Sequence, residues 1–443
     1  MSTLVPAAPR IGRSEILANA VGFCFRPWHA LTVEPSLLFV AAMAVMLFRP
    51  PDYRFRSYDR YALALLLFAV FLRACMLRES LRMTHAIRWP MLGLLALTLG
   101  GTVAQSYQAE TWSLLASKWL VPFALYWVAA HVFRDAQSLR RFETFSLIVL
   151  CYLSLLAILF MVGARDLIFP RYILDASLGI HADRARGPFL QAVANGVTLN
   201  LLGLVALNSF RRGRLRGLPA VCLLTALPLA ILATRTRAVW LSFAGSILGL
   251  LFFSSSRRVR RACLCLLVTG LVGLLAVVII EDHHRTLGER LEEGGPVKFR
   301  MAVYQAGWEM FLQRPFWGWG ANAMQTELSS RISDFHQEQF YFHNTYLEIL
   351  VQYGLVGLFL YGWMVIDLFR LGRRPRRHAV RENRTFLDQQ FRSMWPMFLA
   401  VYLVNGSFVV MNYQFVNGFL FTLAGMLAAQ DQRYAEGVND LAS

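Results

Sequence analysis

His343 and Asn344 stand at the seam between the longest polar stretch of the chain and a long apolar run. An imidazole titrates near neutrality, with an ordinary pKa of about 6.5, so a histidine placed at such a seam suits removal of a proton from a hydroxyl. Helix capping is the plainer reading of the same residue. Thr234-Arg235-Thr236-Arg237 lies between apolar runs at 217–233 and 238–254, in a hairpin too short to turn its charges away. Two guanidiniums at a boundary call for an anionic partner. Their planar forks match the oxygens of a phosphate or pyrophosphate, and snorkelling to lipid phosphate would serve them as well. Arg184 and Arg186 precede Gly187-Pro188, which breaks the chain before a helix that begins near Gln191. That pair either marks a helix end at an interface or binds a ligand.

Such residues need a scaffold, and composition supplies one. Apolar residues make up 56% of the 443 positions, with 33 Phe, far above the balance of a soluble chain. Apolar runs of roughly 17–25 residues recur, the length that crosses a bilayer as helix. They cover 34–48, 60–77, 88–105, 112–133, 142–163, 191–209, 217–233, 238–254, 263–280, 344–370, 394–410 and 415–430. The expectation is an all-α polytopic membrane protein of about twelve transmembrane helices. The segment 15–31 is broken by Arg26 and Pro27; it reads as interfacial, as an extension of the first helix, or as a thirteenth span, and it lacks the clean cleavage site of a signal peptide.

The net charge of +17 could suggest a nucleic-acid partner, but its placement points to membrane lipids instead. Basic clusters recur in short loops: Arg134, Arg140 and Arg141; Arg211, Arg212, Arg214 and Arg216; Arg257, Arg258, Arg260 and Arg261; Arg373, Arg374, Arg376 and Arg377. The positive-inside rule puts these loops in the cytoplasm, so 164–190, 234–237 and 281–343 face outward. In the N-terminal third Arg54, Arg56 and Arg60 compete with Arg78, Arg82 and Arg88; the second group is placed inside, with both termini cytoplasmic. Three regions follow: a helical bundle over 1–280, a large outer loop over 281–343, and C-terminal helices with a tail over 344–443. Cys24, Cys75, Cys151, Cys222, Cys263 and Cys265 all lie in or beside apolar segments, which implies neither a disulfide framework nor a metal pair.

The loop 281–343 is long for a connection in a chain of short ones, and such loops usually carry function. From Lys298 to Gln313 the residues Phe299, Val303, Ala306, Met310 and Phe311 recur at helical spacing, with Arg300, Gln305 and Glu309 elsewhere, predicting an amphipathic helix along the membrane interface. Pro315-Phe-Trp-Gly-Trp-Gly320 ends it with aromatic residues suited to headgroup depth, and His343 to Leu347 start the next long helix, with Glu348 in its first turns. His283, His284 and His336 read as solvated, while His181 fits either role. No Asp-x-Asp occurs in an outer loop: Asp183, Asp282 and Asp334 are isolated, and Glu292-Glu293 read as a solvated turn, so no metal site is expected.

Several of these residues together resemble the O-antigen ligase and polymerase superfamily. The likeness rests on Thr236-Arg237-Ala238 at a helix start, Arg300 and Trp308 at the spacing RxxxxxxxW, Pro315-x-x-Gly318-x-Gly320, and His343-Asn344-x-Tyr346-Leu347 followed by Gly354-Leu-Val-Gly357. It covers roughly 180–360 by motif and the remainder by helix count. The family's Arg-x-x-Gly element, here Arg184 to Gly187, is often followed by a Pro-Asn pair; Gln191 to Asn195 contains no proline, which leaves the role of Asn195 open.

The resemblance implies transfer of a glycan from undecaprenyl pyrophosphate to an acceptor on the periplasmic face of a bacterial inner membrane. A ligase takes lipid A-core as acceptor, a polymerase another lipid-linked unit, and a protein-glycosylating member a side-chain hydroxyl. The single large loop and His-Asn element look more like the ligase. With no cofactor expected, arginines would neutralise the departing pyrophosphate. The expected set is Arg184, Arg186, Arg237 and Arg300 with Arg235 assisting, His343 as general base, and Asn344 and Tyr346 in support. A single displacement would invert the anomeric centre. A transporter is the alternative of another class, but the strong charges gather at one boundary, and neither midplane ionisable groups nor inverted repeats are evident.

Overall fold

In a bilayer the backbone must satisfy its own hydrogen bonds, and a long apolar run does so as helix. The computed structural model describes residues 34–49, 58–84, 86–282, 295–332, 341–373 and 386–442, and its regular structure is entirely helical among them. The helices are α1 (Pro35–Leu47), α2 (Tyr58–Leu77), α3 (Arg88–Val103), α4 (Ala109–Val132), α5 (Ala136–Met161), α6 (Ala192–Arg211), α7 (Gly217–Ala233), α8 (Arg237–Phe253) and α9 (Arg257–Asp282). They continue with α10 (Gly295–Gln313), α11 (Ala321–Arg331), α12 (Thr345–Leu371), α13 (Gln389–Gly406) and α14 (Gln414–Ala442). Helices α2, α4, α5, α6, α9 and α12 are each long and apolar enough to cross a membrane, and α1, α7 and α8 are shorter apolar helices. The segment 15–31, Cys24, Arg54, Arg56, the pair Glu292-Glu293, His283, His284, Asp334, His336, Arg374, Arg376 and Arg377 lie outside the described residues, as does the side chain of Asp282.

Helix α6 forms the centre of the bundle, with 89% of its apolar window buried, whereas α9 buries only 17% and leaves Leu264, Val268, Leu271, Val272 and Leu275 exposed. A helix that is apolar and bare on its outer face is suited to lipid. Small residues permit the closest contacts: a Cβ added at Gly425 of α14 would lie 2.2 Å from the Tyr126 carbonyl oxygen of α4. Polar side chains fix helix positions inside the bundle. Asn200 donates to Ser242 at 3.3 Å, and Asn405 donates to the same hydroxyl at 2.8 Å, joining α6, α8 and α13.

At one end of the bundle lie the α6–α7 and α8–α9 turns. Three arginines of the basic cluster there, Arg211, Arg212 and Arg214, are engaged by buried carboxylates of the protein. The fully buried Glu143 accepts from Ser209 at 2.6 Å and pairs with Arg212 at 3.1 Å and Arg214 at 3.3 Å, and Arg211 pairs with the buried Asp388. The opposite end holds the segment before α6, the α7–α8 turn and the start of α12. Every expected site residue except Arg300, on α10, comes from these three.

Candidate functional site

The long connection from α5 to α6 is held by one side chain. Arg186 is completely buried, and its guanidinium donates to the backbone carbonyls of Ile173 (2.9 Å), Leu178 and Asp175. Expected among the phosphate ligands, Arg186 is instead spent on the loop, where its fork gathers three carbonyls of irregular backbone. Gly187 follows at φ +56°, and a Cβ there would sit 2.7 Å from the Asn195 side-chain oxygen. Asn195, whose role the sequence left open, is fully buried and donates its amide to the Ala185 carbonyl at 2.8 Å. The Ala185 amide in turn donates to the Ala233 carbonyl at 3.1 Å. That bond ties the Arg184 loop to the end of α7, beside the threonine-arginine turn.

Within that turn the two residue types divide the work. Thr234 donates to the Ile231 carbonyl at 2.7 Å, Thr236 to the Thr234 carbonyl at 2.9 Å, and the Trp240 indole to Ile231 at 3.0 Å. The threonines and Trp240 thus stiffen the turn, while Arg235, at φ +48°, and Arg237, first residue of α8, are exposed. Arg184 is half-buried and lies 3.8 Å from Asp183.

His343 occupies the third segment. Asn344 is the N-cap of α12: its side-chain oxygen accepts from the Tyr346 amide at 2.9 Å and the Leu347 amide at 3.1 Å. Thr345 donates to the Val409 carbonyl at 2.8 Å and accepts from the Met411 amide at 2.9 Å, and the Tyr346 hydroxyl donates to Leu403 at 2.7 Å. Asn344 and Tyr346 therefore fix the helix start. They hold His343 just outside it at φ +50°, a left-handed conformation uncommon for a side chain of this size. Burial, then the positive charges of Arg300 and His181, push the His343 imidazole below its ordinary value. His181 is likewise pushed down, by burial and by Arg184 beside it. His181, Arg184, Arg300 and His343, drawn from three separate segments, thus act on one another electrostatically. Burial first, and repulsion by the neighbouring positive charges second, favour the neutral form of both imidazoles, the form that accepts a proton.

Arg300 arrives on α10, and the amphipathic pattern is realised in part against protein. Val303, Ala306, Met310 and Phe311 pack on Met324, Leu328, Phe342 and Val351 of α11 and the His343 segment. A second apolar set on the same helix, Met301, Trp308 and Leu312, is exposed, as are Phe316 and Trp317 after it. Helix α10 is therefore covered on one face by α11 and the His343 segment, while its second apolar set stays exposed.

A break in α12 locks this unit down, and sequence reasoning missed it. Gly354 sits at φ +64°, ψ −162° inside the long helix. The freed carbonyls of Val351 and Gln352 accept from the Trp319 and Gly320 amides at 3.0 and 2.9 Å, and the Leu355 and Val356 amides donate to Pro315 and Phe316 at 2.8 and 3.3 Å. The Pro315–Gly320 stretch thus plugs the gap, which satisfies backbone that would otherwise be unpaired at this depth. Gly318, at φ +67°, has no room for a Cβ, which would lie 2.5 Å from the Gln352 carbonyl carbon. Glycines at 318, 320 and 354 were the available signal.

A second omission is Lys118, a lone cation in the α4 apolar run. It pairs with Glu348 at 3.1 Å, the two side chains 7% and 14% exposed. An ionisable group within such a run is by default functional or paired, and the partner stood 230 positions away. No group of three metal-ligating side chains occurs among the described residues.

Residues 220–362 match the family model described as O-antigen ligase. The matched stretch runs from early α7 into α12 and takes in Arg235, Arg237, Arg300, His343 and Gly354; the Arg184–Gly187 loop lies before it. No curated protein matches the chain.

Proposed function

We propose that a chain carrying this O-antigen ligase domain over residues 220–362 is a glycosyltransferase of the inner membrane. It moves a glycan from undecaprenyl pyrophosphate to lipid A-core on the periplasmic side. The charged cluster at one end of the bundle faces the periplasm, both termini are cytoplasmic, and the helices cross about twelve times. Regions 1–280, 281–343 and 344–443 act as bundle, outer unit and closing helices.

The observation that carries this reading is the electrostatic interaction among His343, Arg300, His181 and Arg184 at one helix end, with the end of α7, just before the Arg235–Arg237 turn, hydrogen-bonded to the same loop. Arg184, Arg235, Arg237 and Arg300 neutralise the pyrophosphate. Arg186 contributes through the loop it holds. The acceptor hydroxyl attacks the sugar C1 as His343 takes its proton; the C1–oxygen bond breaks, and its electron pair leaves with undecaprenyl pyrophosphate. One displacement inverts the anomeric centre. A depressed imidazole pKa is consistent with a base that is free before the acceptor arrives.

The test is reconstitution with lipid-linked glycan and a choice of acceptors, read by product size. One glycan chain added to lipid A-core supports ligase activity. Growth of the lipid-linked glycan identifies a polymerase, glycan on a polypeptide a protein-modifying member, and solute flux without transfer a transporter; each would overturn the ligase reading. Arg237→Ala should abolish transfer and Arg237→Lys restore little of it, because an ammonium lacks the fork. Full activity in either would sink the pyrophosphate role.

A further inference from the structure

A cavity of about 310 Å³ lies beside the His343 segment, among α3, α4, α11 and the start of α12. That volume is at the lower edge of small-molecule sites, which run from roughly 300 to 1,000 Å³. Tyr341 and Phe342 line it, His343 responds to Arg300 and His181, and Glu348, little more than one helical turn on, lines it again. The segment around His343 therefore borders this cavity and also interacts with the charged cluster.

The lining has a definite chemistry. Apart from the Lys118–Glu348 pair and Glu110, its polar groups are amides and hydroxyls, among them Asn322, Gln325, Ser329 and Asn412. One Glu348 carboxylate oxygen takes the Lys118 ammonium, while the other, Oε2, is buried with no hydrogen-bond partner among the described residues. A buried acceptor without a partner is costly, and a ligand hydroxyl would satisfy it. One cation against two carboxylates makes the cavity unsuited to phosphate, in contrast to the arginine cluster.

We infer that this cavity binds an uncharged sugar ring, with Glu348 Oε2 accepting from a ring hydroxyl and Lys118 holding Glu348 in place. The inference rests on the glycosyl-transfer reading and deepens it: the ring belongs either to the donor glycan or to the terminal sugar of the acceptor, next to the His343 base. Anionic substituents are excluded here and tolerated only on the arginine side.

Ser329 is exposed on α11 at the cavity edge, so Ser329→Trp should fill the cavity without disturbing the bundle; Thr326→Trp, also exposed on that lining, is the second variant. Each is used as full-length protein in nanodiscs with its thermal midpoint measured, and whichever keeps the wild-type midpoint is carried forward. Saturation-transfer NMR with N-acetylglucosamine should show contact in the wild type and lose it in the plugged variant, with glucose 6-phosphate giving a weaker signal throughout. In transfer assays the plug should raise one KM by about tenfold. A rise for the lipid-linked glycan assigns the ring to the donor, and a rise for lipid A-core assigns it to the acceptor. If neither KM nor the N-acetylglucosamine contact changes, or if glucose 6-phosphate binds as well, the inference is wrong. Arg237→Ala separates the two claims: an inactive Arg237→Ala beside an unaffected plug variant removes only the sugar site, whereas an active Arg237→Ala removes the underlying reading.

Discussion

Replacing Gly354 by alanine tests whether the broken helix positions the site. At φ +64° and ψ −162° the backbone occupies a region essentially reserved for glycine, where a side chain costs about 1–3 kcal/mol. The added Cβ would also lie 2.3 Å from the Phe316 carbonyl oxygen and 2.7 Å from that of Pro315. Those two oxygens accept from the Val356 and Leu355 amides, so relieving the clash severs two hydrogen bonds worth about 1 kcal/mol each. The sum is a destabilisation of about 3–5 kcal/mol, concentrated where Pro315–Gly320 plugs α12. Because α10 is anchored through that plug, Arg300 shifts relative to His343, and a misplacement of about 1 Å costs on the order of a hundredfold in rate. The assay is single-turnover transfer by reconstituted full-length protein, well below the thermal midpoint of the variant, with the midpoint recorded in parallel. Wild-type midpoint and a rate within about twofold of wild type would refute the argument.

The pH dependence of kcat/KM should have an acidic limb below the ordinary histidine value of 6.5, because burial, Arg300 and His181 all favour the neutral imidazole; activity then falls only as pH drops through that depressed value. Arg300→Gln should move the limb to higher pH, and an unmoved limb would assign the base elsewhere. Arg186→Ala removes three hydrogen bonds from the loop and leaves the buried Ile173 carbonyl without that donor, at about 1–3 kcal/mol, so limited proteolysis within 164–190 should accelerate by about tenfold, at about 1.4 kcal/mol per tenfold, with lipid-linked donor binding weakened; unchanged cleavage would remove its loop-holding role. Asn344→Ala should lower the thermal midpoint through loss of a cap worth about 1 kcal/mol, while Asn344→Asp retains it; equal midpoints for both would contradict the capping geometry. Transfer should survive EDTA, and a loss restored by magnesium would count against stabilisation by arginine alone.

The helices were legible from composition because apolar length and backbone satisfaction are local properties: the runs at 142–163 and 344–370 fall in α5 and α12 for that reason alone. The family resemblance was legible too, since Arg237, Arg300, His343 and Gly354 carry their spacing in one dimension, and the family match covers that same stretch. What one dimension could not tell apart were Arg186 and Arg237, identical side chains beside similar breaks. One is buried on three carbonyls and the other exposed, because burial depends on loops closing over a residue from distant parts of the chain. The pairing of Lys118 with Glu348, the bond from Ala185 to Ala233 and the plugging of α12 by Pro315–Gly320 likewise needed tertiary structure. Each joins segments whose approach is set by packing of the whole bundle. The sequence by itself determined which charged and titratable groups stand at the helix ends, because their types and spacing are local; the fold decided which of them meet and which are consumed in holding the others in place, because that depends on packing between distant segments.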